Sequence, residues 1–512
     1  LLNVDTEAKR IVRSSGSTPS ERYLAYLADR TFLNLWSYPN PYREQKQRGA
    51  GDGKELCDLL VVCDPHIIIF SEKDISWSDE QALEVAWPRW FKKAVLEAAN
   101  QLRGAERWIN DFPERIFLDK DCTQPFPLDF PPVERRIVHR VIVARGAAAQ
   151  CRNHLGGIGT LMICPELKGK SHCNPKADFY AAFTVGDVDP ASDFVHVFDE
   201  ISLELVMREL DTVSDFTEYL VKRSSFLRSG RLVFAPGEEE LLPCYASQIN
   251  ERGEHDFILP TGSNDSEKIL ISEGNFAKYI KNPQYIAKKK ADRISYLWDR
   301  LIEVFTDHMI AGTSLAPEGQ AYSLQNSELA VRYMALENRW LRRAHSQALE
   351  GAFEQGRKRE IFFRSMLGLS SAKNETGFFI LTVKYLPERR EGFSYSEYRK
   401  FRSGLLGLYA HSLLMKYPHL RRIIGIAMEP PGLGKGGSED NVYAAQQEWT
   451  AEQIEEVALH CEAAGIMQTL KEKPYRAREF PTAAQSRSKP QGGNRKQRRA
   501  QAALERKGRK SH

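Results

Sequence analysis

Apolar positions along the chain repeat with a period that changes from helical to extended and back several times. From Pro19 and Ser20 onward Tyr23, Leu24, Leu27, Phe32 and Leu35 recur near helical spacing, which predicts a helix to about Leu35. The polar residues 1–18 ahead of it predict a frayed end. The segment from Ser37 to Gly53 holds Pro39, Pro41 and three glycines and reads as a loop. Two short runs rich in Val and Ile follow, Leu56 to Cys63 and His66 to Ile75, joined by Asp64 and Pro65. Each is too short for a buried helix, so a β-hairpin is the expectation. Pro88 suits the first turn of a helix running to about Ile109, with Phe91, Val95, Ala98, Leu102 and Ala105 as its apolar stripe. Arg89, Lys92, Lys93 and Arg103 project from its other side.

Further along, Arg135 to Gly146 and Gly157 to Cys164 read as strands, and a helical pair spans about Leu203 to Phe226. Two long helical patterns cover about Ala287 to Met309 and Leu324 to Phe353. A strand from Gly377 to Leu386, an amphipathic helix from Ser394 to Lys416 and a strand from Arg421 to Pro431 then predict a βαβ crossover. A last helix runs from after Trp449 to about Leu470. The expected class is α/β: a mixed sheet flanked by helices over 19–165, a mixed α/β region over 166–280, long helices over 281–356 and a C-terminal α/β unit over 357–480. Residues 1–18 and 481–512 are expected to be flexible.

Composition changes this picture at one end. With 42% hydrophobic and 27% charged residues, the 512-residue chain can bury cores over most of its length, and its formal charge is only +4. Yet Ser486 to His512 holds ten basic residues against Glu505 alone, a net of +9, while the rest of the chain is mildly acidic. Arg495, Lys496, Arg498 and Arg499 lie in this arm, which has no aromatic residue for stacking and would bind phosphates without reading sequence. Eight cysteines without a CxxC pair and no apolar run of ~18 residues lead to the expectation of a cytoplasmic protein in a reducing compartment.

Candidate chemistry lies between Gly53 and Trp77. Alternation puts Leu56, Asp58, Leu60 and Val62 on one face of the first strand, and Ile67, Ile69, Ser71 and Lys73 on one face of the second, with Glu72 pointing away. A carboxylate in an otherwise apolar strand needs a partner, and Lys73 across the hairpin is one. The order of helix, loop, Asp-bearing strand, strand ending in an acid and a lysine, and helix with a basic face resembles the PD-(D/E)XK, restriction-endonuclease-like nucleases. The resemblance covers the first ~110 residues. It implies that Asp58 and a second acid hold Mg²⁺ or Mn²⁺, that Lys73 is the catalytic lysine acting on the attacking water, and that the substrate is nucleic acid, DNA in preference to RNA. The motif departs from the family pattern: Ser71 stands two residues before Lys73, where an acid is expected, and Glu72 is adjacent. Glu72 ranks first as the second acid, with Glu55, Glu21, Glu84 and Glu97 as the other candidates, and it could join Asp58 only through a bulge. The alternative is a non-catalytic nucleic-acid-binding or interaction protein on a degenerate nuclease fold, with Asp58 and Lys73 a structural ion pair.

Two other signals carry less. Cys151, His154, Cys164, His172 and Cys173 match no zinc-binding spacing. Pro431 to Asp440 has Glu429 where a phosphate-binding loop needs its first glycine, and so reads as a turn, with Glu439 and Asp440 solvated.

Overall fold

A computed structural model describes residues 9–46, 52–258, 268–315, 321–368, 375–389, 393–433, 438–468, 470–475 and 478–481. The cationic arm, with Arg495, Lys496, Arg498 and Arg499, lies outside the described residues. The fold is mixed α/β, and no helix among the described residues is long and apolar enough to cross a membrane.

Helix α1 (Pro19–Phe32) begins where Thr18 and Glu21 cap its end reciprocally, and it buries Leu24, Leu27, Ala28 and Phe32. The stretch before it is not frayed throughout. Ile11 is buried, and Arg13 donates to Asp29 and to the Ser37 carbonyl, so two anchors hold a segment whose composition alone is polar. Strands β1 (Ser37–Pro39), β2 (Leu59–Cys63) and β3 (His66–Asp74) follow, then β4 (Ile137–Arg145) and β5 (Val195–Asp199), and they stand side by side in that order. β1–β2 and β2–β3 are antiparallel, β3–β4 and β4–β5 parallel. The expected loop from Ser37 therefore contains an edge strand: prolines are tolerated there because an edge leaves backbone groups unpaired anyway. β5 comes from beyond residue 165.

The crossover from β3 to β4 is helical. α2 (Leu83–Phe91) passes through a π-helical turn, Lys92–Leu96, into α3 (Glu97–Asp111). Pro88 sits inside α2 and not in its first turn, because the helix starts at Leu83. Its missing N–H and ring disturb the ladder just ahead of the wider turn. Alternation along the strands sorts the sheet's side chains into two cores. Leu60, Val62, Ile67 and Ile69 pack with Trp87, Phe91, Val95 and Leu102 of the crossover, whereas Leu59, Val61, Ile68 and Phe70 pack with α1 and with α4 (Glu200–Glu209) and α5 (Val213–Arg228).

The second core continues into a layer of three helices, α6 (Tyr296–Ala311), α7 (Leu324–Ala335) and α8 (Arg339–Gly356). Both expected long helices are broken. Pro283–Asp292 and α6 are separated by a 3-10 turn, and Asn338 caps α8 by accepting the Leu341 N–H at 2.9 Å, which restarts the helix after α7. Beyond this layer lies a second sheet of β6 (Ile361–Met366), β7 (Thr376–Val383), β8 (Arg422–Met428) and β9 (Glu439–Ala445). β7 and β8 are parallel through α9 (Tyr395–Lys416), as the βαβ reading requires. β6 and β9 flank them antiparallel; Glu439 and Asp440 thus belong to a strand, with Asp440 paired to Arg399 and Arg402. The last helix ends at Ala463, ahead of Gly465.

Candidate functional site

Asp58 lies one residue before β2, and its carboxylate accepts the backbone N–H of Glu72 at 2.6 Å. β3 runs in unbroken register along β4, so no bulge turns Glu72 around. Its side chain faces away from Lys73, as alternation requires, toward Arg145 at 3.3 Å and the Ser20 hydroxyl of α1. Asp58 reaches Glu72 through the backbone and not by a shared side-chain face. On the other face Ser71 donates to Gln101 of α3 at 3.1 Å.

Around Asp58 the chain gathers acids from two directions. Asn40, buried between Pro39 and Pro41, donates through Nδ2 to Glu21 Oε2 and to Glu55 Oε1, each at 2.9 Å. Its own N–H donates to the Asp58 carbonyl at 3.0 Å. Burial raises the Asp58 pKa, with Lys73 and the Glu72 N–H opposing and Glu21 adding to the rise. Burial also raises Glu55; its Asn40 hydrogen bond and Lys73 oppose, while Asp58 and Glu21 add repulsion. Burial would raise Glu21 as well, but bonds from Asn40 and the backbone of Ser17 and Thr18 hold it below the usual carboxylate range. Glu21 is thus a helix cap that also borders the cluster. Burial pushes Glu72 up to about 7, against Arg145 and Ser20 and with repulsion from Asp58 and Glu21, and Glu72 Oε2 is buried with no hydrogen-bond partner among the described residues.

Lys73 is half-buried. Its charge lowers the pKa of both Asp58 and Glu55, and it forms no contact ion pair among the described residues. The expected Asp58–Lys73 pairing is a neighbourhood and not a salt bridge. Glu84 and Glu97 are exposed on the crossover helix. Among the described residues no three His, Cys, Asp or Glu side chains converge closely enough to hold a metal ion between them. Arg89, Lys92 and Lys93 are exposed, Lys92 and Lys93 on the π turn, whereas Arg103 pairs with Asp189 at 3.2 Å.

Asn40, Ser20 and Arg145 were not singled out in the sequence. The prolines on either side of Asn40 mark a constrained loop, but a following proline favours extended backbone, so the left-handed φ of 48° at Asn40 had no signal in the sequence. Several of the cysteines and histidines of 151–173 bond to backbone: Cys151 to the Thr160 carbonyl, His154 to that of Gln150, Cys173 to that of Pro88, and both ring nitrogens of His172 to Gly169 and Gly186. Comparison of the chain with protein-family models, with curated proteins and with solved structures finds no match.

Proposed function

We propose that this chain is a divalent-cation-dependent phosphodiesterase of the restriction-endonuclease-like type, acting on nucleic acid, DNA ahead of RNA. The observation that carries the reading is that Asp58, bonded to the strand end that bears Lys73, and Glu55, held by Asn40, both feel the Lys73 charge. The hairpin follows α1 and is followed by the helical crossover to the parallel strand β4.

The donor set suits a hard cation. Burial raises both Glu55 and Asp58, Glu21 repels both and Asp58 repels Glu55, and a cation relieves that repulsion. Mg²⁺ takes one or two carboxylates and completes its shell with water and phosphate oxygens, so a third side chain is not required. Asp58 and Glu55 would hold the ion, which when bound clamps the phosphate and acidifies a water. Lys73 orients that water and stabilises negative charge growing on the phosphate oxygens. Glu72, paired with Arg145, buttresses Asp58 through its backbone N–H. Exposed Arg89, Lys92 and Lys93 supply contacts to the phosphate backbone.

The test is cleavage of single-stranded, duplex and structured DNA and RNA with Mg²⁺ or Mn²⁺. Wild type is expected to cut, and Asp58→Ala and Lys73→Ala to lose at least ~100-fold of that rate. Undiminished cleavage in both variants overturns the assignment. A second reading, binding without cleavage, is favoured by the absence of a three-carboxylate group among the described residues. It predicts salt-sensitive nucleic-acid binding with no metal-dependent product.

A further inference from the structure

Residues 478–481, well beyond the last helix, are held against the helical layer by cations from three earlier elements. Buried Arg343 of α8 donates through Nη2 to the carbonyls of Arg478 and Glu479 at 2.7 and 2.9 Å, while its Nη1 donates to Asp292 at 2.8 Å. The Glu479 carboxylate meets Nζ of Lys288, on the helix Pro283–Asp292, at 3.3 Å, and Nε2 of His255, with its two oxygens at 3.1 and 3.0 Å. The Phe480 ring stands edge-on to that of His255. His255 in turn packs beside Tyr245, in the core shared with the first sheet. The strap therefore ties the end of the C-terminal unit to elements that pack on the other half of the molecule.

The partners of His255 fix its protonation. Nε2 faces the Glu479 carboxylate and Nδ1 faces the Gln248 carbonyl at 3.2 Å. Burial would raise Glu479, but the His255 bond and the charge of Lys288 hold it at about 2, so it is ionised and can only accept, like the carbonyl. Both ring nitrogens therefore donate, and the seated ring is an imidazolium. Loss of one proton turns a donor into a lone pair facing an oxygen, and one of the two bonds goes. We propose that residues 478–481 are a proton-dependent latch, seated on Arg343, Lys288 and His255 while His255 carries both ring protons and loosened when the second proton leaves. Burial would lower His255, yet Glu479 and Asp215 lift it above the ordinary 6.5 against Lys288. The seated strap thus binds the proton more tightly than the free one: docking is strongest below the ordinary histidine pKa and is lost as pH rises through the raised value. Glu218 of α5 also interacts with His255; burial, Asp215 and Glu254 push it up to about 7, so it titrates in the same window and has to be told apart. The basic run of the sequence begins after Ser486, five residues past Pro481, so the latch keeps its start within ~18 Å of the socket.

The test uses the full chain with para-fluorophenylalanine at position 480. Its fluorine signal and the His255 ring nitrogens are followed together by NMR from about pH 5 to 9. The signal is expected to pass from a seated to a free position with the midpoint of the His255 ring, the seated-to-free ratio falling at least ~10-fold, or about 1.4 kcal/mol. His255→Gln is expected to abolish this transition and Glu218→Gln to keep it. In Glu479→Gln the His255 ring is expected to lose at least ~10-fold in proton affinity, because an amide oxygen accepts equally well from the neutral ring. A Phe480 signal that does not change across the window overturns the proposal. So does a transition that survives in His255→Gln, or one that disappears in Glu218→Gln, since either assigns it to another group.

Discussion

The carboxylate of Asp58 holds the backbone N–H of Glu72, not its side chain, at 2.6 Å across the open end of the β2–β3 hairpin. That single bond fixes the roles of the neighbouring acids. Asp58 is bound to the strand end that carries Lys73, whereas the Glu72 side chain is committed to the opposite face with Arg145 and Ser20. Adjacency in sequence pointed to Glu72 as the acid beside Lys73, and the face its side chain takes removes it from that side.

Stability in the absence of metal should fall between pH 5 and 8 because of Glu72. Its folded pKa, about 7, lies above the ordinary 4.5, so the native state binds the proton more tightly than the unfolded chain. The contribution is complete below the ordinary pKa and is lost as pH rises toward 7. Glu72→Gln removes this dependence. Its melting temperature should gain on wild type as pH rises, by roughly 1–3 kcal/mol in unfolding free energy. A constant difference between the two across that window would show that Glu72 titrates normally.

Gly146 ends β4 at φ 101°, and a Cβ there would collide with the carbonyl oxygen of Ile75 just beyond β3. Gly146→Ala should destabilise the fold by about 1–3 kcal/mol and, by shifting Arg145 away from Glu72, should disturb the site as well. Chemical denaturation checks the first effect. A neutral substitution would mean that the two strand ends have room to part.

How far the sequence disclosed this site depends on which forces are local. Alternation in Leu60, Val62, Ile67 and Ile69 is a direct consequence of strand geometry, so the hairpin and the turn of Glu72 away from the Lys73 face were legible. The capping pair Thr18 and Glu21 and the β7–α9–β8 crossover are likewise written in short-range pattern. The role of Asn40 was not, because it depends on two carboxylates that are 19 and 15 residues away. Nor could periodicity show that β5 joins the first sheet or that Pro88 would be carried inside α2: pairing partners and tertiary packing decide both.

The helical layer between the two sheets is held by buried charge. Asp299, 7% exposed, accepts Arg339 and Arg342, each at 2.7 Å. Asp299→Ala leaves two guanidinium groups short of a counter-charge and should cost about 3–5 kcal/mol, which urea unfolding would read. A loss under 1 kcal/mol would mean that Asp211 and the Ala335 and Glu337 carbonyls compensate.

Exposed Lys92 and Lys93 extend the crossover helix as cations toward solvent. Lys92→Glu with Lys93→Glu should weaken nucleic-acid binding across sequences and flatten the logarithmic salt dependence by roughly one unit for each lost phosphate contact. An unchanged slope in a salt titration removes these two lysines from the interface.

Metal-dependent cleavage requires a divalent ion at Asp58. Crystals soaked in Mn²⁺ and measured at the manganese edge should show an anomalous peak about 2.1 Å from Asp58 and Glu55 carboxylate oxygens, lost in Asp58→Asn. A map without a peak there, at a Mn²⁺ concentration that fills other carboxylate sites, contradicts it.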